Sequence, residues 1–264
     1  MDLQLDGKTA LVSGSTTGIG LAIASTLARE GATVIVNGRA PERVQEAIAR
    51  IKQAVPDARL RGAAGDLTTA AGVDAVASES PDVDILVNNV GTFAAKPFFD
   101  TTDAEWQSMW ETNVMSGVRL SRQYMRGMLS RNWGRVIFIS SEAALNPRGG
   151  TAPYGVTKTA VLGLSRALAD LTVGTAVTVN AVLPADTRTE ATKEWLDSLA
   201  AKKGISTADV EKEYFEKTRP ASLIRRYAEP SEVASLVAYL ASPLSAITNG
   251  ASLRAEGGII HSIG

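Results

Sequence analysis

The sequence predicts an α/β fold, a doubly wound parallel sheet covered by helices on both faces. Three observations carry that expectation. Short β-rich runs alternate with helical patterns along the chain. The β-rich runs are apolar throughout rather than every second residue, as strands buried on both faces are. A glycine-rich turn, "SGSTTGIG", joins the first run to the first helix.

The elements follow in order. "KTALVSG" is the first strand and Ile19 to Glu30 the first helix; "ATVIVNG" is the second, followed by Glu42 to Val55. "DARLRGAAGD" precedes Thr69 to Glu79, and "VDILVNNVG" precedes one long helix over Asp103 to Ser130. "GRVIFISS" leads into a helix carrying "APYGVTKTA"; "AVTVNAVLP" follows it, then Ser231 to Ala241, then a last strand in "GASLRAEGG". Repeated strand and helix units of this kind wind into a parallel sheet. Pro41 and Pro230 fit first-turn positions, where a missing N–H costs nothing, and Thr102 with Glu105 has the spacing of a capping box. The charged stretch from Arg188 to Arg225 breaks the rhythm with helical pieces, and it reads equally as an insertion over the site or as an exposed hairpin.

Composition narrows the chemistry. The chain has 264 residues, 45% of them hydrophobic, with 27 basic against 28 acidic side chains. No basic run suggests a nucleic-acid partner. With no cysteine and the single histidine His261, disulfides, thiol catalysis, histidine triads and His-rich metal clusters are excluded, so no metal is expected. The opening "MDLQLDGKTALVSG" resembles neither a secretion signal nor a transit peptide, and no apolar run reaches the length of a membrane span. A cytoplasmic protein without a membrane partner is the expectation.

Gly14, Gly18 and Gly20 lie in the turn between a strand and a helix. Glycines there permit a tight turn and close backbone approach to a diphosphate, and the helix N-terminus offers free amides. A dinucleotide is the expected ligand. At the end of the second strand, where a carboxylate would hold ribose hydroxyls, "VNGRAPER" has none at Asn37 or Gly38, and Arg39 follows. A guanidinium there pairs with a 2′-phosphate, which predicts NADP(H) in preference to a still possible NAD(H). Tyr154 and Lys158, four residues apart, share one helix face. Tyrosine titrates near 10, so acid/base work at neutral pH needs its pKa lowered by about two or three, and a nearby ammonium favours the phenolate.

The G-x-x-x-G-x-G spacing, with "NNVG" from Asn88 to Gly91, "ETN" ending in Asn113, "ISS" ending in Ser141, "YGVTK", "NAVLP" and "RAEGG", resembles the short-chain dehydrogenase/reductase family, on its 3-oxoacyl-reductase-like branch. The resemblance spans nearly the whole chain. It implies a single Rossmann domain over residues 1–264, with 188–225 as a substrate lid, and hydride exchange between NADP(H) and a carbonyl or secondary alcohol. Tyr154 would be the general acid/base, Ser141 the partner of the reacting oxygen, and Asn113 the holder of a water that links Lys158 to solvent. Strand alternation lets only one of Ser140 and Ser141 face the site, and the family spacing selects Ser141. Cofactor contacts are implied for Gly14, Ser15, Thr17, Gly18, Ile19, Gly20, Arg39, Asp66, Leu67, Asn89, Gly91, Tyr154, Lys158, Pro184, Thr187 and Thr189. An aspartate at the position of Asp66 also caps a following helix naturally.

Val90 and Ala185 depart from the family's usual alanine and glycine. Phe93, Glu142, Pro147, Arg148 and Trp195 lie on segments flanking the family's substrate cleft. "LTVGTAV" lacks the basic residue that docking of an acyl carrier protein favours. The family forms homotetramers and homodimers through its fourth and fifth helices and last strand, so "MWETNVMSGVRLSRQYMRGM" can serve core and interface, with Trp106, Met109 and Trp110 as packing. Two other classes fit the same fold: a cofactor-binding regulator with little catalysis, and an oligomeric interaction protein.

Overall fold

The computed structural model describes residues 1–263. Its strands are β1 (Thr9–Val12), β2 (Thr33–Gly38), β3 (Arg59–Ala64), β4 (Ile85–Asn88), β5 (Gly134–Ile139), β6 (Val177–Pro184) and β7 (Ser252–Ala255). They form one seven-stranded sheet in the order β3-β2-β1-β4-β5-β6-β7. Every pairing is parallel, with Leu11 opposite Ile35 on one side and Leu86 on the other.

The helices are α1 (Gly18–Arg29), α2 (Pro41–Ala54), α3 (Ala70–Glu79), α4 (Asp103–Trp110), α5 (Ser116–Ser130), α6 (Ala152–Asp170), α7 (Glu190–Lys203), α8 (Thr207–Lys217) and α9 (Pro230–Ala241). The uniformly apolar strands now have their reason. Ala10, Val12, Val34, Val36, Ile85 and Val87 pack with Ile23 and Leu27 of α1 and Val233 and Val237 of α9. Leu11, Ile35, Leu86, Val136 and Phe138 point the other way, onto Leu120, Tyr124 and Met128 of α5 and Val161 of α6. Alternate residues thus enter two separate cores, and neither face can be polar. The chain runs outward from β1 to β3 and then crosses back to β4, so the switch in winding direction falls between β1 and β4, where ligands enter open sheets of this kind.

Local signals hold where the sequence placed them. Thr102 and Glu105 form the capping box of α4, and Pro41 and Pro230 open α2 and α9. The single helix expected from Asp103 to Ser130 is instead interrupted: Glu111–Met115 is a π-turn between α4 and α5. One wide turn shifts the helix face, which brings Asn113 inward. Met109 is buried as expected of packing, whereas Trp110 keeps 38% of its surface exposed.

The insertion contains α7, ended by Gly204 in the left-handed conformation, and α8. These helices build a small core of their own from Leu196, Ala200, Val210, Phe215 and Tyr227. Among the described residues no helix is long and apolar enough to cross a membrane.

Leu120 is fully buried between α5 and the sheet. Leu120→Ala leaves a cavity there, and chemical denaturation should show a loss of about 2–5 kcal/mol.

Candidate active site

A cavity of about 480 Å³ opens at the carboxyl ends of β1, β2 and β4. Of the residues expected to hold a dinucleotide, Gly14, Thr17, Arg39, Asp66, Leu67, Asn89 and Gly91 line it, together with Thr16, Thr68, Thr92, Ser108 and Thr112, which the sequence did not single out. Gly14 and Gly18 have φ of +60° and +56°, the left-handed region in which a Cβ is strained. Gly20 is required for a different reason: a Cβ there would lie 2.5 Å from the Gly14 carbonyl oxygen and 2.4 Å from Asn89 Nδ2.

The remaining expected contacts divide. Ser15 is buried behind the loop, with its hydroxyl donating to the Val12 carbonyl and accepting from the Asn37 amide. Ile19 packs against the core. Gly18 and Thr189 face a neighbouring groove of about 440 Å³ rather than the main cavity. Pro184 ends β6, and Thr187 is buried with its hydroxyl on the Ala185 carbonyl. Asp66 does not cap α3; its carboxylate accepts from the amide and hydroxyl of Thr68, while Thr69 is the cap.

The end of β2 separates its polar residues by role. Asn37 is buried, accepts the Gly14 amide and donates to the Ala63 carbonyl, so its side chain serves the loop. Arg39 is exposed at the cavity wall. Glu190 is a residue the sequence gave no sign of. Its carboxylate accepts the Gly18 amide at 2.9 Å and pairs with Arg50 at 2.9 Å, which lowers its pKa against the cost of burial.

Across the switch point, β5 and α6 bring the second group together. Ser140 and Ser141 diverge as strand alternation requires. The Ser140 hydroxyl turns back to the Lys158 carbonyl, whereas the Ser141 hydroxyl accepts the Ala143 amide and lies near enough to the Tyr154 phenol to bear on its pKa. Lys158 is buried, donates to the Ile139 carbonyl at 2.9 Å and lies 5.7 Å from the Tyr154 ring centroid. Burial lowers its pKa to about 8. The Asn113 side chain accepts the Thr92 amide and donates to the Thr92 carbonyl and the Thr157 hydroxyl. Phe93 packs edge-on against the Tyr154 ring.

The expected lowering of the tyrosine is corrected here. Burial pushes the Tyr154 phenol up, the nearby Ser141 hydroxyl works against that, and the carboxylates of Glu142 and Asp186 push it further up. The ammonium of Lys158, itself disfavoured by burial, does not reverse the balance. The arrangement therefore holds a protonated phenol, a hydroxyl and an amine around one point, which can deliver a proton to an oxygen placed between Ser141 and Tyr154.

The insertion reaches this floor through Arg219, which pairs with both Glu142 and Asp186.

The short chain dehydrogenase family profile matches residues 8–200. The chain is 48% identical over 263 residues to the Bacillus subtilis oxidoreductase YvaG, covering all of both. It is 34% identical to the 3-oxoacyl-[acyl-carrier-protein] reductase FabG of Vibrio cholerae, over 97% of this chain and 99% of that one. The crystal structure of L-sorbose reductase from Gluconobacter frateurii, complexed with NADPH and L-sorbose, superposes with a TM-score of 0.93 at 32% identity, covering both chains fully.

The buried amine carries a stability prediction. A lysine whose pKa falls from 10.5 to about 8 on folding is disfavoured in its charged form. The penalty is complete below pH 8 and vanishes as pH rises towards 10.5, because over that window the unfolded chain binds more protons. Lys158→Met should thus be more stable than the parent at pH 7, by roughly 3 kcal/mol, and denaturation across this pH window should show the difference shrinking.

Proposed function

The chain belongs to the short-chain dehydrogenase family and is an NAD(P)-dependent oxidoreductase; from that premise we propose that it is an NADP(H)-preferring carbonyl reductase or secondary alcohol dehydrogenase with Tyr154 as general acid/base. The observation that carries this reading is the convergence of Tyr154, Ser141 and Lys158 on one point, beside a glycine loop too close-packed at Gly20 for any other residue.

The residues suit the cofactor. Gly14, Thr17, Asp66, Leu67, Asn89 and Gly91 would enclose the adenosine half, and Arg39, exposed where no carboxylate stands, would pair with a 2′-phosphate. The Gly18 amide would serve the diphosphate once Glu190 releases it, and Arg50, which already pairs with that carboxylate, would retain it. Lys158 would hold the nicotinamide ribose, with Pro184, Thr187 and Thr189 on the opposite wall. When bound, the cofactor supplies or takes the hydride.

The protein's own part is proton handling. Ser141 donates to the substrate oxygen and fixes it near Tyr154. In reduction, Tyr154 gives its proton to that oxygen as negative charge develops; in oxidation it takes the proton back. The raised phenol pKa keeps Tyr154 protonated before reduction while making it a weaker acid, and positive charge from the cofactor ring would favour the phenolate that oxidation needs. Asn113 holds the backbone at Thr92 and the hydroxyl of Thr157, which keeps the far side of Lys158 polar and suits a proton path to solvent. The substrate is a small carbonyl or alcohol, and α7 and α8 act as its lid. The apolar groove between α5 and α6, lined by Val118, Met125, Leu164 and Leu168, suits a homodimer or homotetramer contact.

Two measurements test this. Tyr154→Phe should cut kcat about 10²- to 10⁴-fold in an NADPH oxidation assay while the cofactor Kd stays within a few-fold; a normal rate would remove the role. Arg39→Ala should lower kcat/KM for NADPH about ten- to hundredfold and move NADH far less, as expected for one charge-assisted pair; equal effects on both would remove the NADP(H) preference.

A further inference from the structure

One charged cluster beside Tyr154 enters that mechanism only through its charge. Glu142 follows Ser141 and is 4% exposed. Asp186 stands two residues after Pro184, and Arg219 comes from the segment after α8. Arg219 Nη2 lies 3.1 Å from Glu142 Oε1, and Arg219 Nε lies 2.9 Å from Asp186 Oδ2. The Nε–H is nevertheless directed at Tyr214 Oη, 3.1 Å away, and that phenol donates to Asp186 Oδ1 at 2.7 Å. Asp186 is therefore held by a directed bond, and Glu142 by charge alone.

Asp186 Oδ2 has only the charge of Arg219 Nε beside it, and two further polar atoms of the Glu142–Arg219 pair remain over. Glu142 Oε2 accepts no hydrogen bond and Arg219 Nη1 donates none, although both are shielded from solvent. A purely structural ion pair is a poor account of this, because unpaired buried donors and acceptors are costly and buried ion pairs contribute little net stability. A hydroxyl group, by contrast, donates one hydrogen bond and accepts others, so a single hydroxyl satisfies both atoms.

We propose that Glu142 and Arg219 read the substrate: a hydroxyl on the carbon next to the reacting carbonyl donates to Glu142 Oε2 and accepts from Arg219 Nη1, which makes α-hydroxy ketones and the matching vicinal diols the substrate class. This rests on the carbonyl reductase reading above. The placement follows from the chain, since Ser141 holds the reacting oxygen and Glu142 is its immediate neighbour. The Glu142 charge is also felt at the Tyr154 phenol. The floor supplies the acceptor and the insertion the donor, so the reading pair is complete only with the insertion in place. Reduction adds hydride to the carbonyl carbon and the Tyr154 proton to its oxygen, converting the C=O double bond to a C–H and an O–H bond, at one NADPH per diol; the neighbouring hydroxyl is unchanged.

The test compares kcat/KM of the full chain with NADPH for acetone, hydroxyacetone and methoxyacetone. The methyl ether keeps the electron withdrawal and the acceptor oxygen but cannot donate to Glu142. Hydroxyacetone should exceed methoxyacetone by about 10²-fold or more, since a site built around a hydroxyl strongly rejects the analogue without it. Glu142→Gln should reduce that ratio at least tenfold, and Arg219→Lys, which keeps the charge, should reduce it less. A ratio within about threefold in the parent protein overturns the proposal without any variant, while measurable turnover of acetone leaves the reductase reading standing. An unchanged ratio in folded Glu142→Gln also overturns it. No turnover of any of the three while NADPH binds removes the reductase reading and this proposal together.

Discussion

The close approach of α1 to the ends of β1 and β4 is the constraint on which the candidate site depends. At Gly20 the helix backbone lies so near the Gly14 carbonyl and the Asn89 side chain that a single methyl group would overlap both. Asn89 donates to the carbonyls of Ser13 and Gly14, and the Ser13 hydroxyl accepts the amides of Asn89 and Val90. The loop after β1 is thereby tied to the loop after β4. Asn37 ties it again from β2. The cavity wall is thus backbone held by buried side chains, which fixes it before any ligand arrives and lowers the ordering cost of binding.

The same logic holds across the switch point, at a higher energetic cost. A buried lysine on α6, a π-turn that carries Asn113, and a phenol beside two carboxylates are each unfavourable in isolation. They are held by a sheet whose two cores are apolar on both faces. Perturbed groups gathered in one cleft on a rigid support are what proton-transfer chemistry requires. Gly91 shows how tight the assembly is, since a Cβ there would lie 3.2 Å from Lys158 Nζ and 3.5 Å from Asn113 Oδ1.

Much of this was legible in the chain, and the limits have physical causes. Strand and helix alternation, the capping box at Thr102 and the prolines opening α2 and α9 depend on local sequence, so their positions were read within a residue or two. The glycine loop was legible because its requirement, backbone without Cβ, is written in residue type. The choice of Ser141 over Ser140 combined strand alternation with family spacing. The π-turn at Glu111–Met115 was not legible, because it changes helix pitch without changing the apolar pattern. The direction of the Tyr154 shift was misjudged for a related reason: four residues of separation told of Lys158, whereas Glu142 and Asp186 reach the phenol through the fold.

Long-range charge placement is the general form of that gap, and it explains why the insertion was ambiguous. Composition could not separate a functional cover from an inert hairpin, since both are charged and helical. Three of the insertion's side chains make contacts that composition could not show. Glu190 lies on the Gly18 amide, Arg188 joins Glu211 to Glu229, and Arg219 enters the floor between Glu142 and Asp186. The first and last of these contacts fall at opposite ends of the cleft, one at the glycine loop and one beside Ser141. Because α7 and α8 share a small core, Glu190 on the Gly18 amide and Tyr214, whose phenol holds both Asp186 and Arg219, belong to one packed unit.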